Sequence, residues 1–278
     1  MEIIIENDVE YTIDGDGVLV MMAGVLGANH EVPSVKIPNV LQSGHKITTL
    51  DKRFCIGKFG EIVVSPEIED IREEAFRGAN VKTVHWPKAC TEIPKECFRG
   101  SSVEQMLGIE NVTEIGDSAF ADTRMAEFCW PQGCKEIPYK CFAFSNIDGL
   151  RGTENVRIIR ERAFYNTHIT KSPCFDNVEE VEEGAFGCSS ISYLKWPTKC
   201  QKIPGHCFAQ SDLVSISNLE GVQTIGQYAF YRAMSLKELD LSGSAVLSIG
   251  KGALAKVDAK FNKFPYYVDD SAFFDPLK

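Results

Sequence analysis

Apolar side chains return along this chain at a fixed interval of 22 residues. Phenylalanine marks the interval at Phe54, Phe76, Phe98, Phe120, Phe142, Phe164, Phe186, Phe208 and Phe230. A constant period of this size predicts a solenoid, in which stacked coils share one core. Ten units follow from it: 33–54, 55–76, 77–98, 99–120, 121–142, 143–164, 165–186, 187–208, 209–230 and a longer 231–254 that closes on Leu254.

Numbering each unit from 1 to 22 separates buried from exposed positions. Position 5 is Val81, Val103, Met125, Ile147, Ile169, Ile191 or Leu213, and position 8 is mostly large and apolar, with Ser172 as the exception. Together with position 10 this predicts a short strand whose inward side chains face the core. Position 13 is Asn or Gly in five units, which predicts a turn with left-handed backbone there. Position 14 (Ile68, Cys90, Val112, Cys134) and position 17 (Ile71, Ile93, Ile115, Ile137) form the opposite wall. A small residue at position 21, Ala or Cys, lets coils approach before the Phe fills the gap. The rings are expected to bury against one another, each worth roughly 1.5–3 kcal/mol.

The ends break the pattern. Residues 1–32 are expected to form an N-terminal hairpin cap, with Asp14-Gly15-Asp16-Gly17 as the turn between Tyr11–Ile13 and Val18–Val20. DGDG also admits a calcium loop, but further spaced acidic ligands are missing. Residues 255–278 repeat the letters of Asp117–Phe120 at Asp270–Phe273, so a partial eleventh coil and C-terminal cap are expected there. The tail's Phe261, Phe264, Tyr266, Tyr267, Phe273 and Phe274 also admit an exposed aromatic docking segment.

Charge and cysteines narrow the function classes. A formal net charge of −10 argues against nucleic-acid binding. The apolar run over 18–28 is too short to span a bilayer and follows acidic rather than basic residues, so neither membrane insertion nor a secretory leader is expected. That points to the cytoplasm, or to a secreted or cell-surface protein whose leader has been removed. Of ten cysteines, Cys90, Cys97, Cys134, Cys141, Cys200 and Cys207 stand where other units carry Val or Ala. They are expected to be buried free thiols. Zinc would need four ligands at about 2.3 Å, which pairs at least two coils apart do not supply. A local disulfide is the remaining alternative. No cofactor or metal is expected.

Units such as Val112-Thr-Glu-Ile115-Gly-Asp-Ser-Ala119-Phe120, with Leu194-Lys-Trp196-Pro197, resemble the BspA-like leucine-rich repeats. The resemblance covers about residues 33–254. It implies a right-handed solenoid with a parallel β-sheet on the concave face and short irregular or helical turns on the convex side. It also implies protein–protein binding through the concave face, with adhesion to host or matrix proteins in surface members. An intracellular scaffold, or a structural component of a larger assembly, is the alternative.

Candidate binding residues are those expected outward on the strand face: Thr83, His85, Gln105, Glu127, Arg151, Lys171, Tyr193, Lys195, Glu238 and Asp240. Arg151, Lys171 and Lys195 beside Tyr193 suggest a protein partner with an acidic segment, since Arg and Tyr are favoured interface anchors. No enzyme is expected. The histidines at 30, 45, 85, 168 and 206 occupy different repeat positions, no Ser or Asp pairs with His85 by register, and no nucleotide or zinc-protease motif occurs.

Overall fold

A computed structural model describes residues 1–24, 31–241, 243–262, 270–273 and 275. The chain is a parallel β-solenoid of about nine turns with almost no helix. It divides into two compact units, Met1–Gly133 and Cys134–Lys278.

The first unit opens with an antiparallel meander. Glu2–Glu6 pairs with Val9–Ile13, which pairs with Val18–Gly24 across a bulge at Thr12/Ile13. Asn7 and Asp8 turn the first hairpin with both φ angles positive, as a two-residue turn of this hand requires. Asp14 closes the second by accepting from the backbone N–H of Asp16 and Val18, both at 2.9 Å. Its carboxylate is thereby used as a turn acceptor. Val18–Gly24 then pairs in parallel with Thr49–Leu50, which joins the meander to the coils.

Four parallel strands form the main face of this unit: Glu31–Ile37, Lys58–Val64, Asn80–His85 and Gln105–Leu107. Arg124–Cys129 supplies the next strand segment. The opposite wall uses two-residue strands, among them Glu92–Ile93 paired with Glu114–Ile115. The second unit repeats this plan. Tyr193–Lys195, Ser215–Ser217, Glu238–Asp240 and Lys260–Asn262 run parallel on its face. Glu136–Ile137, Ile158–Ile159 and Glu180–Val181 pair on its opposite wall. Helix among the described residues is limited to the 3-10 turns Thr153–Asn155 and Asp270–Phe273.

The phenylalanines form the core of each unit. In the first, Phe76 and Phe98 stack at 5.0 Å and Phe98 and Phe120 at 5.6 Å, while Phe54 meets Phe76 edge-on. In the second, Phe142, Phe164, Phe186, Phe208 and Phe230 stack at 5.4–5.6 Å. All nine rings are at most 2% exposed. Phe175 adds a further ring to the second unit, 5.9 Å from Phe164 and 6.0 Å from Phe186. It fills the place left by Ser172, which points to solvent.

Trp-Pro-x-x-Cys recurs at 86–90, 130–134 and 196–200, and local packing explains it. Trp86 and Trp196 are buried, and each indole N–H donates to the carbonyl four residues on, at Cys90 and Cys200. A buried indole donor is therefore satisfied within its own coil. All six cysteines that replace Val or Ala are buried thiols outside any disulfide. Burial pushes the Cys90 and Cys200 thiols up to about 12.

Left-handed backbone falls elsewhere than position 13. It falls at position 20 (Glu74, Glu96, Ser118, Lys140, Arg162, His206, Tyr228) and position 2 (Asp122, Phe144, Asn166, Cys188, Gln210, Arg232), and also at position 10 in three units (Gly108, Gly152, Asn218), where the expected inward strand residue gives way to a turn. Hydrogen bonds from coil to coil impose it at positions 20 and 2. The N–H at position 20 donates to position 19 of the next coil, as Glu96 does to Asp117, and that at position 2 donates to position 1 of the next, as Gln210 does to Tyr231. At position 13 glycine serves close approach instead: a Cβ on Gly133 would lie 2.8 Å from the Val112 carbonyl oxygen.

The tail carries this ladder one coil further. Leu254 N–H donates to Ala272 at 2.9 Å, as Phe208 does to Ala229 and Phe230 to Ala253. Asp275 accepts from the Tyr231 hydroxyl and meets Lys256 at 3.4 Å. His30, Phe264, Tyr266, Tyr267 and Phe274 lie outside the described residues, as does part of the expected cap.

Candidate functional site: the strand face

Positions 5 and 8 are buried on the face strands and positions 7 and 9 lie outward; strict alternation holds from 7 to 9 and is broken between 5 and 8. In the first unit Val81 and Val84 are fully buried, and Thr83 and His85 between and beyond them are half-buried. Register sets Gln105 beside Thr83 and Leu107 beside His85. Gln105 and Glu127 are exposed.

A polar network crosses three strands here. Ser34 Oγ donates to Glu61 Oε2 at 2.9 Å, and His85 Nε2 lies 2.7 Å from Glu61 Oε1. His85 and then Ser34 hold the Glu61 carboxyl below its ordinary range. So His85 does have a partner: Glu61 is opposite Thr83, and the long side chains meet on the diagonal. The carboxylate stands between hydroxyl and imidazole. The serine thus bonds to the carboxylate rather than to the imidazole, which is not the Ser–His–carboxylate order of an activated serine. Beside it, Glu31 bridges Lys58 at 2.9 Å and Lys82 at 3.0 Å.

In the second unit Arg151 ends the strand Asn146–Arg151 and is exposed. Lys171 lies beyond its strand, which stops at Ile169, because Ser172 and Pro173 cannot continue the apolar alternation and the ladder. Tyr193 and Lys195 flank buried Leu194 on one short strand, with Tyr193 62% exposed. Tyr193 sits beside Ser215, and Ser215 beside Glu238, so these three form one row across the sheet. Asp240 is exposed two residues further along. Lys195 Nζ donates to Asp176 Oδ1 at 2.9 Å, which raises the lysine and lowers the carboxyl. Asp176, on the turn of the preceding coil, is the residue that sequence reasoning missed on this face.

Among the described residues, no group of three or more His, Cys, Asp or Glu could hold a metal ion. No helix there is long and apolar enough to cross a membrane.

A stack of parallel coils closed by buried Ala-Phe or Cys-Phe pairs, with outward side chains on one strand face, defines a leucine-rich-repeat solenoid. The BspA type leucine rich repeat region matches residues 69–187 and 157–275, in six copies. The chain belongs to this family. The solved structure of the pneumococcal vaccine antigen PcpA is 17% identical, covering 99% of this chain and 91% of that one, with a TM-score of 0.51. A leucine rich cell surface protein from Faecalibacterium prausnitzii is 14% identical over 95% of this chain and 96% of its own, with a TM-score of 0.49. A leucine-rich repeat protein from Bacteroides ovatus is 16% identical over 96% and 89%, with a TM-score of 0.43. Likeness at these identities speaks to the fold alone. No curated protein matches the sequence.

Proposed function

We propose that this chain is a non-catalytic protein-binding solenoid, and that the strand face of its second unit receives an acidic segment of a protein partner. One observation carries the reading. Tyr193, a large aromatic, stands 62% exposed beside Lys195, with Arg151 and Lys171 on the same unit. Tyr and Arg are the residues most often found as interface anchors, and solvent exposure of an aromatic is otherwise unfavourable. Family membership supports a protein as the partner, and the resemblance to surface members makes a host or matrix protein the first class to try.

Asp176 sharpens the reading. It already bonds Lys195, so it competes with an incoming carboxylate. A partner identified by pull-down from the native source is then titrated against variants. Tyr193→Ala with Arg151→Glu should weaken binding at least about tenfold, in the range of interface hot spots. Asp176→Asn should strengthen it, and raised salt should weaken it. Affinity unchanged in all three comparisons would overturn the assignment.

A further inference from the structure

The meander of the first unit ends in an uncovered strand. Glu2–Glu6 lies at one edge of its sheet and pairs with Val9–Ile13, and among the described residues no strand runs along its far side. The two-residue turn at Asn7-Asp8 makes Glu6 and Val9 a hydrogen-bonded pair, so Ile4 with Tyr11 and Glu2 with Ile13 are hydrogen-bonded pairs as well. The backbone N–H and C=O groups of Ile3 and Ile5 therefore point outward. No described residue bonds to them.

The side chains along this edge are apolar. Ile3 is 64% exposed and Ile5 61%, both on one face of the strand. Ile4 is half-buried on the other. Edge strands of soluble proteins usually carry a lysine, a proline or a bulge that discourages pairing with another chain. Glu2–Glu6 has neither residue, and its register with Val9–Ile13 is unbroken. Its charges share the face of Ile4 and are held within the chain. Glu2 Oε2 meets His45 Nε2 at 2.7 Å, and Glu6 Oε1 accepts from the Ser43 N–H at 3.2 Å.

We propose that Glu2–Glu6 is a docking strand for a second copy of this chain, which adds antiparallel along the free edge to form a two-fold dimer. Sequence symmetry selects a second copy over another protein. Glu-Ile-Ile-Ile-Glu reads the same in both directions, so a two-fold axis beside Ile4 sets every isoleucine against an isoleucine. The hydrogen-bonding pattern selects the same register independently. The outward groups of Ile3 meet those of Ile5 of the second copy, and the reverse, which leaves Ile4 opposite Ile4 of the second copy at a non-hydrogen-bonded place. Ile3 and Ile5 of both copies then join into one apolar patch on the outer face. A contact of this kind uses up the edge on both copies, so assembly stops at two.

Two features set its strength. The register places Glu2 opposite Glu6 of the second copy, a like-charge pair that weakens the contact. Strands of five residues also bury less than the roughly 800 Å² per partner of a stable complex. The dimer is therefore a weak one, with a dissociation constant on the order of 100 µM.

Sedimentation velocity of the full chain from about 10 µM to about 1 mM spans that value. The mass should move from monomer towards dimer over the range, and raised salt should strengthen the dimer by screening Glu2 from Glu6. Ile5→Lys, at an exposed position, should abolish it with the melting temperature unchanged. Ile3→Pro should do the same by deleting an N–H that Val9–Ile13 does not use. Register is read by cross-linking in a chain that carries Cys129→Ser and Cys174→Ser. Under mild oxidation Ile4→Cys should form a disulfide dimer at least about tenfold faster than the more exposed Ile3→Cys or Ile5→Cys, because position 4 alone meets itself within the ~4.4–6.8 Å Cα separation a disulfide needs. A monomer at every concentration would overturn the proposal. So would a dimer that survives both Ile5→Lys and Ile3→Pro, or equal cross-linking at positions 3, 4 and 5. None of these outcomes bears on the strand face of the second unit, so the two proposals stand or fall separately.

Discussion

Replacing Phe186 by Ala tests the core argument most directly. Phe186 is 2% exposed, stacks on Phe164 at 5.4 Å and on Phe208 at 5.5 Å, and touches Phe175 at 6.0 Å. Its backbone N–H is also bonded to Cys207 of the next coil, so the chain cannot collapse into the hole without breaking that rung. Phe→Ala in a core of this kind costs about 3–5 kcal/mol, lost transfer energy plus a persistent cavity. That is a large share of the ~5–15 kcal/mol that stabilises a typical domain. With a urea slope near 3 kcal/mol/M, the midpoint should fall by about 1–1.7 M. Phe273, the same position in the partial last coil, is 46% exposed, and its replacement should cost under about 1 kcal/mol. Equal midpoint shifts for Phe186→Ala and Phe273→Ala would refute the idea that stability resides in stacking between neighbouring coils.

Three further outcomes follow from neighbouring positions. Ser211→Ala should cost about 1 kcal/mol, because its buried hydroxyl donates to Phe208 at 2.8 Å, while Ser101→Ala, whose buried hydroxyl has no partner, should be neutral or stabilising in the same thermal melt. Glu74 is held at about 2 by Lys52, with Arg53 and Arg77 adding to it, against an unfolded value near 4.3. Its contribution is therefore complete above about pH 4.3 and lost as pH falls towards 2, and Glu74→Gln should flatten stability across that window in acid titrations. At Lys140, with φ at 51°, Gly should be more stable than Ala by about 1 kcal/mol, the reverse of a helix, as read by urea melts of the two variants.

The buried columns were legible in the sequence because a 22-residue period superimposes them without knowledge of any contact. Positions 5, 14, 17, 21 and 22 are buried throughout the complete coils from Val81 to Phe230. What escaped was set by tertiary bonding. Beside Gly, Asn and Asp, which favour that backbone, the left-handed sites carry Glu, Lys, Arg, Phe and Cys, residue types with no local preference for it, and there the coil-to-coil hydrogen bonds supply the explanation. The Glu2–Glu6 strand was missed because Ile3-Ile4-Ile5 shows no alternation, although Asn7-Asp8 is a turn signal. On the candidate face, His85 met Glu61 diagonally and Lys195 met Asp176 from another coil, and neither pairing follows from in-register counting. Lys171 left its strand because Ser172-Pro173 interrupts it.

This division says where specificity can reside. Positions committed to the ladder tolerate few substitutions, since the coil-to-coil spacing and the ring stacking constrain each other. The residues free to vary without disturbing it are the outward strand positions, since position 20 requires left-handed backbone and position 1 is buried in most coils. They point away from the core and give a line of side chains at nearly constant spacing. In the second unit one such line carries Tyr193 and Lys195, where exposed aromatic and basic groups suit a macromolecular surface. Substitutions at these outward positions should change binding while leaving the melting temperature of the ladder in place.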